Sequence, residues 1–127
     1  MSKIVENLRY SKDHEWVRIE GDLAYVGITD HAQHELGEIV FVELPPHGER
    51  YRKGEEISTV ESVKAASAII NPIDGVVKEA NEDLDGSPEL INEDCYAHHL
   101  YILTSFSEDD YGELLDAEAY QAYLETL

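Results

Sequence analysis

Hydrophobic and polar positions alternate along much of this chain, and the alternation marks out strands before any other property is considered. The run His14-Glu15-Trp16-Val17-Arg18-Ile19 alternates, Gly21-Asp22 supplies a turn and Leu23 to Ile28 returns, which predicts a β-hairpin near the N-terminus. Ile4-Val5 through Tyr10 reads as an extended lead-in to it. Glu38 to Leu44 is a near-continuous apolar strand, ended by Pro45-Pro46-His47-Gly48, where two prolines withhold backbone donors. Glu55 to Val60 and Ala66 to Ile70 are two further strands with no Gly or Pro between them, so the chain must turn tightly, with Lys64 at the tip. Asn71-Pro72-Ile73-Asp74-Gly75 turns again into a strand starting at Val76-Val77, a weak echo of the Gly48 to Val60 pattern. Leu100 to Leu103 is the last strand.

The period changes in two places. Asp30 followed three positions later by Gln33, with Gly37 after Leu36, predicts a short helix capped by Asp30 and stopped by the glycine. Ser107 with Asp110, then Leu114, Leu115 and Tyr120, Tyr123, Leu124 and Leu127 at i, i+3, i+4 and i+7, predicts an amphipathic helix or helix pair over residues 107–127 that packs on the sheet. Between these, Asn81 to Asn92 is acidic and turn-rich, with Leu84, Leu90 and Ile91 to tie it to a core. The expected organisation is one mainly β domain over residues 1–127 with a short internal helix and a C-terminal helical extension.

Composition narrows the function classes. A chain of 127 residues with 43% hydrophobic and 29% charged residues is globular, and no run reaches the about 18 apolar residues of a membrane helix. No basic segment followed by an apolar core opens the sequence, so a soluble cytoplasmic protein is expected, and a single cysteine excludes an internal disulfide. Acids outnumber bases 28 to 9, a net charge of −19, and the imbalance is uneven: residues 79–127 hold 14 acids and no Lys or Arg. Such a field excludes nucleic acid and anionic membranes as partners and favours basic protein surfaces.

Catalytic patterns are missing. There is no Gly-rich phosphate loop, GxSxG or HExxH; Cys95 has no CxxC partner or evident base, and His31 and His34, one helical turn apart, lack a third ligand nearby, so no metal is expected. Arg50, Arg52 and Lys53 form the one basic cluster and read as a solvated edge. What stands out is Lys64: a turn lysine whose nearest like-charged neighbours are Lys53 and Lys78. Pattern alone favours a solvated turn charge, but a small chain with no catalytic set and one well-presented lysine suits a carrier whose cofactor supplies the chemistry.

Five separated segments sharpen this. His14-Glu15-Trp16-Val17, Gly27 to Gln33, Leu36 to Pro45, Glu61-Ser62-Val63-Lys64-Ala65 and Ser87-Pro88-Glu89-Leu90-Ile91-Asn92 together resemble the glycine cleavage H proteins along nearly the whole chain. The resemblance implies a lipoyl-domain-like barrel-sandwich hybrid of two small sheets, with lipoic acid in amide linkage on Lys64. It implies a non-catalytic carrier, a monomer, that serves a PLP-dependent glycine decarboxylase (P protein), a folate-dependent aminomethyltransferase (T protein) and dihydrolipoyl dehydrogenase (L protein), after a lipoylating enzyme has loaded it. By the same resemblance Glu61 helps that enzyme recognise the turn and Glu15 lies near the loaded arm. Two departures are visible: Ala68 stands where the family usually has Asp, and Cys95 to Leu100 reads Cys-Tyr-Ala-His-His-Leu in place of Pro-Tyr-x-x-Gly-Trp. The nearest rival reading is an H-like lipoyl donor or scaffold for other 2-oxoacid dehydrogenase complexes. A biotinyl carrier is disfavoured because Val63 and Ala65, not methionines, flank the lysine.

Overall fold

The structure is a computed structural model and describes residues 2–127. Strands β1 (Arg9–Tyr10), β2 (Glu15–Glu20) and β3 (Leu23–Ile28) lead into helix α1 (Asp30–Leu36). Then come β4 (Ile39–Glu43), β5 (Arg50–Tyr51), β6 (Glu56–Ser62), β7 (Ala66–Ile70) and β8 (Gly75–Ala80). Two single-turn helices, α2 (Asp83–Gly86) and α3 (Leu90–Glu93), precede β9 (Tyr101–Thr104), and α4 (Glu108–Gly112) and α5 (Ala117–Leu124) close the chain. All strand pairs are antiparallel, in a six-stranded sheet ordered β1-β2-β3-β9-β8-β5 and a three-stranded sheet ordered β4-β6-β7. The mainly β barrel-sandwich expected from the sequence is thus present, with its two sheets unequal in size.

The core lies between the sheets. Val17, Val26, Ile28 and Leu103 from the larger one meet Ile39, Val42, Val60 and Ile69 from the smaller. A second cluster forms on the other face of the first hairpin, where Trp16 and Tyr10 pack with Ala117 and Tyr120 of α5. β2 is therefore covered on both sides, because Val17 faces one cluster and Trp16 the other. Gly27, opposite Trp16, admits the indole only because it has no side chain: a Cβ there would lie 2.5 Å from Trp16 Cζ2. The indole N–H donates to the Cys95 carbonyl at 3.1 Å.

The C-terminal helices dock as the residue pattern predicts. Ser107 caps α4 by accepting from the Asp110 amide, and Tyr120 stacks on Tyr10 at 4.5 Å between centroids. Tyr10 and Leu115 exchange two backbone hydrogen bonds of 2.7 and 2.8 Å, which cover the β1 edge of the larger sheet.

Several local features differ from the sequence reading. The cap of α1 is Thr29, whose side chain accepts from the Ala32 amide, while Asp30 is the first helical residue and takes bonds from the Lys3 amide and Gln33 Nε2 instead. The Asn81 to Asn92 stretch folds into α2 and α3 rather than turns alone, with Leu84 and Ile91 buried. β4 carries a bulge between Ile39 and Phe41, so its apolar run is not buried throughout: Val40 is 47% and Phe41 45% exposed. The basic cluster is largely neutralised, with Arg50 paired to Asp74 and Lys53 to Glu113.

Candidate functional site

The β6–β7 hairpin presents Lys64 in solvent, and its turn is closed by side-chain as well as backbone bonds. The Ser62 amide donates to the Ala65 carbonyl at 2.7 Å, and Ser62 Oγ accepts from the amides of Lys64 (3.3 Å) and Ala65 (3.0 Å). The Val63 amide donates to the Glu38 carbonyl at 3.0 Å, which ties the tip to the α1–β4 connection. That connection contains Gly37, at φ +82°, and a Cβ there would sit 3.3 Å from Lys64 Cε. The bare glycine thus forms a shallow seat for the lysine stem and also ends α1, where its amide donates to the Gln33 carbonyl.

Asn92 holds this seat in place. Its Nδ2 donates to the Gly37 carbonyl and to Gln33 Oε1, each at 2.9 Å, and its Oδ1 accepts from the Ile39 amide at 2.8 Å. Neither Asn92, Gly37 nor Ser62 was singled out from the sequence as a site residue, although all three fall within the five family-like segments.

Beside the hairpin, a cleft of about 320 Å³ opens between α1 and β7. Ile28, Leu36 and Ile69 give it apolar walls, and Asp13, His14, His31 and Glu35 give it polar ones. Ala68 borders it at the β7 edge with its side chain on the outer face of the smaller sheet, and Asp13 and Glu35 bring two carboxylates to the cleft. Another cleft, of about 980 Å³, is formed by residues of the 44–47 and 78–83 segments with His99, none of them from the Lys64 hairpin.

His14 adopts φ +70°, so the strand begins at Glu15 rather than His14 and the imidazole is turned toward α5. His14 Nδ1 lies 2.8 Å from the Tyr120 hydroxyl, which lies 2.8 Å from Thr29 Oγ1, and the His14 ring packs on His31 at 4.4 Å. Burial, then the neighbouring His31, pushes the His14 pKa below its ordinary value, so the ring favours the neutral form.

Glu15 shares the inward face of β2 with Val17 and is directly opposite Ile28, one wall of the cleft. It is 1% exposed, not on a solvent face, and accepts a hydrogen bond from Ser11 Oγ at 2.6 Å. Burial pushes its pKa from 4.5 to about 8, so the carboxyl is mostly protonated at neutral pH. Glu61 is elsewhere: exposed on the outer face of the smaller sheet, paired with Phe41 on one side and Ala66 on the other. The structure thus gathers Lys64 and Glu61 on one hairpin and sets Glu15 in the interior behind the cleft. Cys95 is buried, with its thiol pushed up to about 12, which makes it a poor nucleophile. Among the described residues no cluster of three or more His, Cys, Asp or Glu has metal-binding geometry, and no helix is long and apolar enough to cross a membrane.

Comparison with known proteins bears on this geometry directly. The family model described as "Glycine cleavage H-protein" matches residues 8–127. The glycine cleavage system H protein of Alkaliphilus oremlandii is 50% identical over 123 residues, 97% of each chain. That of Syntrophomonas wolfei is 49% identical over 119 residues, covering 94% of this chain and 92% of its own. A crystal structure of a glycine cleavage system H protein from Mycobacterium marinum superposes with a TM-score of 0.86 at 37% identity, covering 98% of this chain and all of that one. An almost full-length match in sequence, joined to the same fold with a lysine presented at a braced hairpin tip, means that this chain belongs to the glycine cleavage H-protein family.

Proposed function

We propose that Lys64 is the attachment point of lipoic acid and that the chain is a carrier with no catalysis of its own. It serves the glycine decarboxylase, the aminomethyltransferase and dihydrolipoyl dehydrogenase in turn, as a cytoplasmic monomer of one lipoyl-type domain. The observation that carries this reading is the placement of Lys64, exposed on a hydrogen-bonded turn with its stem across Gly37. A side chain at residue 37 would crowd that stem, so the seat fits a lysine that must be extended outward and acylated. Loading forms an amide bond between Lys64 Nζ and the acyl carbon of a lipoyl–AMP mixed anhydride; the acyl C–O bond to AMP breaks, AMP leaves, and the Nζ ammonium gives up two protons to solvent and keeps one as the amide N–H. When bound, the lipoyl group supplies a dithiolane that takes up the aminomethyl group left by glycine decarboxylation and is returned to the disulfide by thiol–disulfide exchange.

The chain's own residues do the rest. Ser62 and the Glu38 carbonyl fix the turn, and Asn92 fixes Gly37 beneath it. Asp13 and Glu35 give the adjacent cleft a negative potential suited to an ammonium-type cargo. Ile28, Leu36 and Ile69 keep water from its walls. Glu15, buried opposite Ile28, sets a mostly protonated carboxyl behind that wall.

Intact mass after expression with lipoate tests the attachment: a single lipoyl increment is expected, lost in Lys64→Ala. No increment, or one that survives the substitution, would overturn the assignment. Glycine–bicarbonate exchange with the decarboxylase then tests the use of the arm; a lipoylated chain inactive there would favour the donor or scaffold role in 2-oxoacid dehydrogenase complexes.

A further inference from the structure

Four large apolar side chains are exposed among the described residues: Val40 (47%), Phe41 (45%), Val63 (67%) and Leu127. The first three gather around Lys64. The bulge in β4 has Val40 and Phe41 exposed in succession at one edge of the smaller sheet, and Val63 precedes the lysine at the tip. Cross-strand register then sets Phe41, Glu61 and Ala66 side by side on the outer face of β4, β6 and β7. Small residues at Ala66 and Ala68 leave this face flat, and Lys64 is its only base, against the exposed acids Glu38, Glu43 and Glu61. A bulge that turns two large apolar groups toward water forgoes the stabilisation that their full burial would contribute. Such a feature next to a reactive residue points to a use.

We propose that Val40, Phe41 and Val63, with Glu61 among them, form the docking surface for the enzyme that acylates Lys64. This rests on the assignment of Lys64 as the lipoylated residue. The choice among partners follows from reach. The loading enzyme must bring Lys64 Nζ itself into its active site, so its surface has to touch the sheet immediately around the hairpin. Proteins that act on the far end of a long flexible arm need not. The charge pattern specifies the complementary surface: an apolar patch rimmed by Arg or Lys, one of which meets Glu61.

The test uses the full-length unmodified chain, a purified lipoate–protein ligase, lipoate and ATP, with lipoyl incorporation followed by intact mass as the chain concentration is varied. Phe41→Ser and the near-isosteric Val40→Thr are expected to raise KM for the chain about tenfold with kcat within about twofold, as loss of an interface anchor does. Glu61→Gln should raise KM and flatten its dependence on salt, and Leu127→Ser should match the native chain. Thermal unfolding of each variant confirms that it is folded. Unchanged KM in both apolar variants would overturn the proposal, as would a native dimer that Phe41→Ser dissociates, since the face would then be a contact between copies. A defect confined to reduction of pre-lipoylated variants by dihydrolipoyl dehydrogenase would overturn it as well. Failure of the native chain to accept lipoate would instead strike the assignment of Lys64.

Discussion

Replacing Glu15 by Gln should stabilise the protein above about pH 5, by an amount that grows with pH. In the folded chain burial raises the Glu15 pKa from 4.5 to about 8. A group whose pKa is raised on folding binds its proton more tightly in the native state, so its full contribution is present below 4.5 and is lost as pH rises through about 8. Each unit is worth about 1.4 kcal/mol, which makes the cost of the native carboxyl about 3 kcal/mol at pH 7 and approaching 5 kcal/mol near pH 9. Glutamine keeps the shape and never ionises, so the variant escapes that cost. It retains an acceptor oxygen for Ser11 Oγ, which bonds Glu15 at 2.6 Å. Urea unfolding of both proteins at pH 4.5, 6, 7, 8 and 9, followed by the fluorescence of the single tryptophan, buried Trp16, measures the difference. All other titrating groups are common to the two chains and cancel. A difference that stays flat from pH 4.5 to 9 would refute the reasoning, because it would mean that Glu15 ionises in the folded protein as readily as in the unfolded one.

Two further outcomes follow from the same geometry. Asn92→Ala removes the partners of the Gly37 carbonyl and the Ile39 amide and should cost about 3 kcal/mol in denaturant unfolding, with faster amide exchange at Val63 and Lys64 as the turn loses its support. His14 should titrate by NMR below the ordinary histidine range, and His31→Ala should move its midpoint up, since the second ring contributes to the depression. Because the folded pKa is lowered, the neutral ring's contribution is present above the unfolded value and is lost as acid protonates it. A midpoint indifferent to His31 would mean that burial alone sets it.

The hairpin around Lys64 was legible because two strands with no breaker between them leave the chain nowhere to turn except at the lysine. The inward face of Glu15 was also written in the alternation, since it shares phase with Val17, yet a carboxylate at that phase looks solvent-facing until the covering elements are known. The β4 bulge left no trace: in Ile39-Val40-Phe41-Val42 every position is apolar, so inserting one residue does not disturb any visible period. Helices α2 and α3 have four residues each, too few to display a 3.6-residue repeat, and only their ends were marked, by Asp85-Gly86 and Ser87-Pro88. Thr29 and Asp30 are adjacent capping residues, and which of the two caps depends on the backbone angle at which β3 enters the helix. The seat beneath Lys64 depends on a contact between residues 37, 64 and 92 that no local pattern encodes.

The Ser62 hydroxyl, which binds the amides of both residues that follow Val63, has a consequence for how often a tethered group finds its target. A tether anchored to a fluctuating loop explores the sum of two motions, its own and the loop's, and its local concentration at any partner site is diluted accordingly. Here the anchor is fixed to the sheet on one side and, through the Glu38 carbonyl, to the helix connection on the other. With the lipoyl arm proposed on Lys64, the volume searched would be set by the length of the arm alone, and the encounter rate would become a property of the attached group rather than of the protein that carries it.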